Sequence, residues 1–205
     1  MKLKICGMKY ASNINEVAAL KPDFMGFIFY PASARFVGSD FDPQLLKSLP
    51  EDIKKTGVFV NAALADILVV INAYKLDYVQ LHGNESPVQC KALNRHAKVI
   101  KAFGIHPGFD FNQTEAYEDS CEYLLFDTHS QTHGGTGKSF DHALLQNYRG
   151  KVPFFLSGGI GLEEIAGLDQ IVHPMLAGID VNSRFETAPG MKDIQALGKI
   201  KFEKK

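Results

Sequence analysis

The 205-residue chain has no tryptophan and only three cysteines, Cys6, Cys90 and Cys121. An odd cysteine count, with no C-x-x-C pair and no Cys/His ligand spacing, excludes a disulfide-stapled scaffold and a zinc module, and predicts reduced thiols. Charge of one sign is also missing. Lys and Arg number 22 against 23 Asp and Glu, a formal net charge of -1, so there is no basic field for nucleic acid or anionic lipid. Long hydrophobic runs are absent too: the longest stretch, around Ile67 to Ile71, is bounded by Asp66 and Asn72 and falls far short of the roughly 18 residues of a spanning helix. The first residues, Met1-Lys-Leu-Lys-Ile-Cys, space charges through a strand-like segment and offer no apolar leader. These absences predict a cytoplasmic protein with neither membrane nor nucleic acid as partner. A small neutral or anionic ligand fits better.

What is present is ordinary globular material, 45% hydrophobic and 22% charged, enough to build one self-sufficient core. Short apolar runs alternate with helix-compatible segments along the whole chain, which is the α/β signature. Strands are expected over 3–6, 24–29, 56–61, 78–82, 99–103, 123–127, 153–157 and 178–181, with helices such as 13–20, 63–73, 87–94, 140–147 and 192–199 between them. Runs like Phe24-Met-Gly-Phe-Ile-Phe are apolar on both faces, as parallel strands covered by helices must be. Eight units of about 25 residues predict a single (β/α)8 barrel domain over 1–205, with no room for a second domain. A doubly wound sheet is the rival, but the first turn, Cys6-Gly-Met-Lys-Tyr, lacks the G-x-G-x-x-G of a dinucleotide fold.

In such a barrel, chemistry sits at the C-terminal ends of the strands. The polar residues there are Cys6, Arg35, Asn61, His82, Asp127, the Ser157-Gly-Gly turn and Asp180. Each also has a plain structural role: buried filling for Cys6, turn capping for Asp127. The loops after strands 7 and 8 suggest an anion site. Gly158-Gly159 follows one strand, and Ser183 and Glu186 have capping-box spacing before a very short helix ended by Pro189-Gly190; free amides at such a place favour phosphate. An ordinary capped turn is the competing account. The long loop 128–139, with Gly134-Gly135-Thr136-Gly137 and two histidines, is a candidate lid. Other motifs fail on spacing. A Walker A loop ending at Gly137-Lys-Ser would need glycine at Thr132, a hydrolase elbow around Ser157 would need glycine at Phe155, and His129 and His133 lack a completing carboxylate–histidine set for a metal.

The strings Lys4-Ile-Cys-Gly-Met, Gly26-Phe-Ile-Phe-Tyr-Pro with Ser33 and Arg35, Val79-Gln-Leu-His-Gly, Leu125-Phe-Asp-Thr, Gly134-Gly-Thr-Gly-Lys-Ser-Phe-Asp, Leu156-Ser-Gly-Gly-Ile and Gly178-Ile-Asp-Val-Asn-Ser together resemble the phosphoribosylanthranilate isomerase family of tryptophan biosynthesis. The resemblance implies a (β/α)8 barrel and an Amadori rearrangement of N-(5-phosphoribosyl)anthranilate without cofactor or metal. It implies Cys6 as general base, Asp127 as general acid, Arg35 near the anthranilate carboxylate, and Gly158, Gly159, Asn182 and Ser183 as the phosphate grip. Gly135 and Asp180 complete the expected substrate contacts. Two departures stand out: Ala34 precedes Arg35 where the family often has proline, loosening that loop, and Arg184 follows Ser183 where glycine is common. The chemistry requires a protonated Asp127, favoured by burial, and a Cys6 thiolate, favoured by a cation among Lys4, Lys9 and Arg35. Another sugar-phosphate epimerase or aldolase fits less well, since strand 2 ends in Phe29-Tyr30 rather than metal ligands and no lysine stands at a strand end. A non-catalytic phosphate-binding barrel is allowed by the fold but leaves Cys6 and Asp127 without purpose. A monomer is expected.

Overall fold

The computed structural model describes residues 1–127, 142–168, 171 and 173–201. Eight parallel strands close into a barrel in chain order: β1 (Lys2–Met8), β2 (Phe24–Ile28), β3 (Lys54–Phe59), β4 (Tyr78–Leu81), β5 (Lys98–Gly104), β6 (Tyr123–Asp127), β7 (Phe154–Ser157) and β8 (Leu176–Val181). Closure is made by β8 against β1, with Asp180 opposite Lys4. Every residue of β4 and of β7 is buried, the pattern of strands covered on both sides. The barrel expected from the sequence is therefore the fold observed.

Helices α1 (Ala11–Ala19), α3 (Leu64–Tyr74) and α4 (Pro87–Leu93) pack outside it. Their buried faces, Ile14 and Val17, Ile67 and Ile71, Cys90 and Leu93, join outward strand residues such as Ile5, Met25 and Val79 in one large core. α4 starts on a reciprocal cap, with Ser86 accepting from the Gln89 amide and the Gln89 side chain returning to the Ser86 N–H, and Pro87 at its first position. α3 stops at Lys75, which turns left-handed at φ 52. Single-turn helices α2 (Gln44–Lys47), α5 (Leu162–Ala166) and α6 (Ile194–Leu197) and the 3-10 segments Phe111–Tyr117 and His142–Asn147 fill the remaining crossovers. The helix expected over 140–147 is thus 3-10 where it is described. The one expected over 192–199 shrinks to α6, because Lys192 belongs to a strand and Asp193 caps the turn by accepting from the Ala196 amide at 2.9 Å.

The region after β8 differs from expectation. Ser183–Phe185 forms one 3-10 turn, and Glu186 then opens a hairpin of β9 (Glu186–Ala188) and β10 (Met191–Lys192) whose turn is Pro189-Gly190, with Gly190 at φ +83. No capping box forms. A cap contributes only about 1 kcal/mol, and the Glu186 carboxylate instead pairs with two buried or half-buried cations, a stronger class of bond.

Inside the barrel, the lower half is an aromatic plug. Phe24 meets Tyr78, Tyr123 and Phe155 edge to face at ring separations of 5.0, 6.0 and 5.2 Å, with Ile100, Ala102 and Leu125 packed among them. Carboxylates stitch the same end: Asp23 accepts from the Leu3 amide and Asp77 from the Lys55 amide, each at 2.8 Å. Because Phe24 joins three rings, Phe24→Ala is expected to destabilise the barrel by about 3–5 kcal/mol, read as a lower urea midpoint at unchanged slope; a loss below ~1 kcal/mol would show that the plug contributes little.

Candidate active site

Above the plug the barrel becomes polar. Lys4 and Asp180 face each other across the closing seam, Nζ to Oδ1 at 2.9 Å, and Lys4 is fully buried. Cys6 lies two residues further along β1 and so on the same inward face; it is 4% exposed. Glycine at position 26 makes the space. A Cβ there would stand 2.7 Å from Cys6 Sγ and 3.2 Å from Lys4 Nζ, so the thiol and the ammonium share one niche. Burial opposes the charge on Lys4, but Asp180 and then Cys6 outweigh it and raise its pKa. Burial pushes the Cys6 thiol up, against the pull of Lys4 and Lys192.

The chain then bends at Gly7, φ +78, and the bend explains that glycine. A Cβ would collide with Asn182 Oδ1 at 2.7 Å and Arg35 Cδ at 2.8 Å. Arg35 and Asn182 are thereby held against the turn that follows Cys6. The Arg35 loop, without the expected proline, is shaped by the Arg35 amide donating to Ser33 Oγ at 3.1 Å. Its guanidinium is clamped as well: Nε donates to Glu186 Oε1 and Oε2 at 2.9 and 3.0 Å, and Nη2 to Oε2 at 2.6 Å. The Glu186 carboxylate also accepts from Lys192 Nζ at 2.6 Å, and Lys192 donates to Asn182 Oδ1 at 2.7 Å. Asn13 on α1 fixes the Lys192 backbone through two hydrogen bonds of 3.0 and 2.7 Å.

Asp127 ends β6 opposite Ser157 of β7. His82, at the end of β4, brings Nε2 to 3.4 Å from Asp127 Oδ2, and Gln80 Nε2 lies 2.9 Å from His82 Nδ1. Asp180 feels both His82 and Asp127 electrostatically, which places β1, β4, β6 and β8 around one mouth. Beyond β7, Gly158 and Gly159 have φ +101 and +65, and among the described residues, its chain neighbours aside, nothing lies within 4 Å of where a Gly159 Cβ would be. Arg184 Cβ is 3.5 Å from a Cβ built on Gly161, so the loops after β7 and β8 meet, with Ser183 exposed beside them.

Most of the expected site residues therefore gather at this end. Asn61 does not join them: at φ 51 it accepts from the Asn84 amide at 2.7 Å, and its own amide donates to buried Glu85 at 2.8 Å, a loop tie. Gly135, His129, His133 and the expected lid lie outside the described residues. Lys9 is not the cation beside Cys6, because its stem lies against Gly190. Lys4 fills that place. Lys192 is not marked by the sequence, and Glu186 is marked only as a helix cap; charges buried from a hairpin carry no periodic signal. Among the described residues, no group of three or more His, Cys, Asp or Glu is placed to hold a metal, and no helix is long and apolar enough to cross a membrane.

The family model for N-(5'-phosphoribosyl)anthranilate (PRA) isomerase matches residues 3–202. The chain belongs to that family. Among similar proteins, the N-(5'-phosphoribosyl)anthranilate isomerase of Parabacteroides distasonis is 47% identical over 199 residues, 96% of this chain and 90% of the relative. That of Phocaeicola vulgatus is 44% identical over 198 residues, 96% and 94%. The solved isomerase of Thermotoga maritima superposes with a TM-score of 0.84 at 31% identity, covering 97% of this chain and 95% of that one. A structure of the enzyme with reduced 1-(o-carboxyphenylamino)-1-deoxyribulose 5-phosphate superposes at 0.81, with 29% identity and the same coverage.

In this isomerase the resting charge at Cys6 differs from the thiolate expected. The Lys4 ammonium is already matched by Asp180, so the pair adds little net charge to oppose the cost of ionising a buried sulfur. The same raised Lys4 pKa makes it an ammonium and a poor imine-forming amine. Cys121 is the contrast. It is half-buried, and hydrogen bonding from Cys90 lowers its thiol pKa, whereas Cys90 is raised by the same contact. Iodoacetamide at pH 7.5, followed by peptide mass mapping, is expected to label Cys121 first and Cys6 far more slowly than a free thiol, with Cys6 labelling accelerating only at a pH above that at which a free thiol reacts fully. Labelling of Cys6 at neutral pH as fast as free cysteine would mean that its thiolate is already formed.

Proposed function

We propose that the barrel mouth carries out the family's isomerisation of N-(5'-phosphoribosyl)anthranilate, with Cys6 as the base and Asp127 as the acid. Protonated Asp127 donates to the furanose ring oxygen as the C1'–O bond breaks, which opens the ring to an iminium. The cation acidifies C2', the Cys6 thiolate removes its proton, and the enolamine that forms tautomerises to the ketone. The observation that carries this reading is the buried niche of Cys6 beside the Lys4–Asp180 pair in a chain matched to the family over nearly its full length. With the thiol neutral at rest, the reacting form is the minor one in which the proton stands on Asp127 and not on Cys6; Asp127 then passes it to the ring oxygen, and the iminium supplies the positive charge that favours the buried thiolate beside Lys4.

Arg35 is taken as the anchor for the substrate carboxylate, and the amides of Gly158, Gly159, Asn182 and Ser183 as the grip on the phosphate, with Arg184 adding charge at its edge. The left-handed turn at Gly158 and Gly159 and the meeting of the two loops at Gly161 support that placement. Gly135 and Asp180 are carried in the same reading as substrate contacts, Asp180 acting from its bond to Lys4. One barrel domain over 1–205 acts as a monomer in the cytoplasm, binding no membrane or nucleic acid. A dimeric isomerase is named among the Thermotoga maritima structures, but here only Val69 and Val88 among the large apolar residues described are more than half exposed, a meagre surface for an obligate interface.

The expected outcome is rescue of a tryptophan auxotroph that lacks this isomerase, with kcat/KM falling about 10²- to 10⁴-fold in Cys6→Ala and in Asp127→Asn. Full activity in both variants would remove the assignment. A raised thiol also fixes the sense of the pH profile. The active form needs a thiolate and a carboxylic acid together, and the thiol ordinarily titrates above the carboxyl. The acidic limb of kcat/KM therefore belongs to the carboxyl and the basic limb to Cys6, with a small active fraction between them. Cys6→Ser is expected to lose the fall at high pH while keeping the acidic limb; an unchanged basic limb would assign it to another group.

A further inference from the structure

Glu186 takes no part in the proton transfers above, yet its side chain is 4% exposed and both oxygens are fully used. It accepts from Arg35 Nε and Nη2, from Lys192 Nζ and from the Gly190 amide at 3.1 Å. Neutralising Lys192 alone would not require the second oxygen to align with an arginine edge. A guanidinium carries five N–H groups in a rigid fork, and Glu186 occupies the Nε/Nη2 side of it. The Nη1 end belongs to a side chain that is 24% exposed and whose stem lies over Gly7, next to Cys6. Lys192 is spent on Glu186 and Asn182. Arg35, Lys192 and Glu186 together carry a single positive charge, and it is delivered through the free end of one planar fork. One planar carboxylate is its complement.

We propose that Glu186 is a positioning residue that sets selectivity for a carboxylated arylamine, by fixing the plane and direction of the Arg35 guanidinium before substrate arrives. This rests on the reading of Arg35 as the carboxylate anchor. An unclamped arginine gives up rotamer freedom on binding, so pre-orientation strengthens only the contact that Arg35 makes and leaves recognition of the phosphate and sugar alone. A purely structural Glu186 would instead weaken every substrate alike.

The test compares kcat/KM for N-(5-phosphoribosyl)anthranilate and for N-(5-phosphoribosyl)aniline, which lacks the carboxylate, and takes their ratio in each variant. The ratio is insensitive to the fraction of enzyme that is folded. Arg35→Met is expected to lower it about 100-fold and Glu186→Gln about tenfold, chiefly through KM for the carboxylated substrate, as for loss and loosening of a charged hydrogen bond. The double variant is expected to match Arg35→Met, since Glu186 acts only through Arg35. Should Glu186→Gln not fold, Glu186→Asp, whose carboxylate falls one methylene short of the fork, is expected to lower the ratio too. If Arg35→Met lowers the ratio and the Glu186 variants leave it unchanged, the proposal is overturned while the anchor stands. If Arg35→Met itself leaves the ratio unchanged, the anchor reading fails and the proposal with it.

Discussion

The ion pair of Lys4 with Asp180 organises the mouth of this barrel. A lone buried ammonium costs several kcal/mol, and removing one member of a buried pair costs about 3–5 kcal/mol, so the two residues must stay opposite each other. They lie on the first and last strands, at the seam where the sheet closes. Register at closure is thus tied to electrostatics as well as to packing: a slip of one residue in β8 would turn Asp180 toward the outer core and leave the Lys4 ammonium buried without its partner. Cys6 inherits its place from the same constraint, since it is two residues beyond Lys4 on the same face and its sulfur fits beside the ammonium only because residue 26 is glycine.

A second charged cluster repeats this logic at the rim. Glu186 bridges Arg35, from the loop after β2, to Lys192 in the β9–β10 hairpin, and Asn13 of α1 fastens Lys192 from outside. Burial alone would push the Glu186 carboxyl up, but its hydrogen bonds from Arg35 and Lys192 outweigh burial and hold it below the usual carboxylate range. The stability it contributes is therefore present above the unfolded carboxyl value and is lost only as pH falls through the lower folded one. Loop position after β2 thereby depends on a residue some 150 positions away in the chain.

The eight strands were legible because each is a short apolar run with both faces buried, and the turn residues between them punctuate the pattern. The crossovers were less so. α2, α5 and α6 are single turns, too short for a 3.6-residue period to show. Ser183 and Glu186 have the spacing of a cap, and local spacing misleads when a distant cation competes for the carboxylate. Cys6, Arg35, Asp127 and the glycines of the loop after β7 were readable from their strand-end positions and from the family resemblance. The partners that set their behaviour were less so: Lys4 was one of three candidate cations for Cys6 with nothing to show that Asp180 neutralises it, Glu186 read only as a cap, and Lys192 carried no signal until the hairpin folds it inward. The thiolate expectation for Cys6 failed for a related reason: a nearby cation is a sound argument only when its charge has not been spent on a carboxylate.

The aromatic plug below this chemistry closes one end of the barrel. Phe24, Tyr78, Tyr123 and Phe155 close the floor under Lys4 and Cys6, so reactant and product must use the same doorway. On the proposed reaction, the ring-opened ketose has to back out past Arg35 and the loops after β7 and β8 by the route that its precursor entered, and any contact that holds the reactant there also delays departure. Tighter anchoring at the rim would then lengthen occupancy and limit throughput, however fast the protons move.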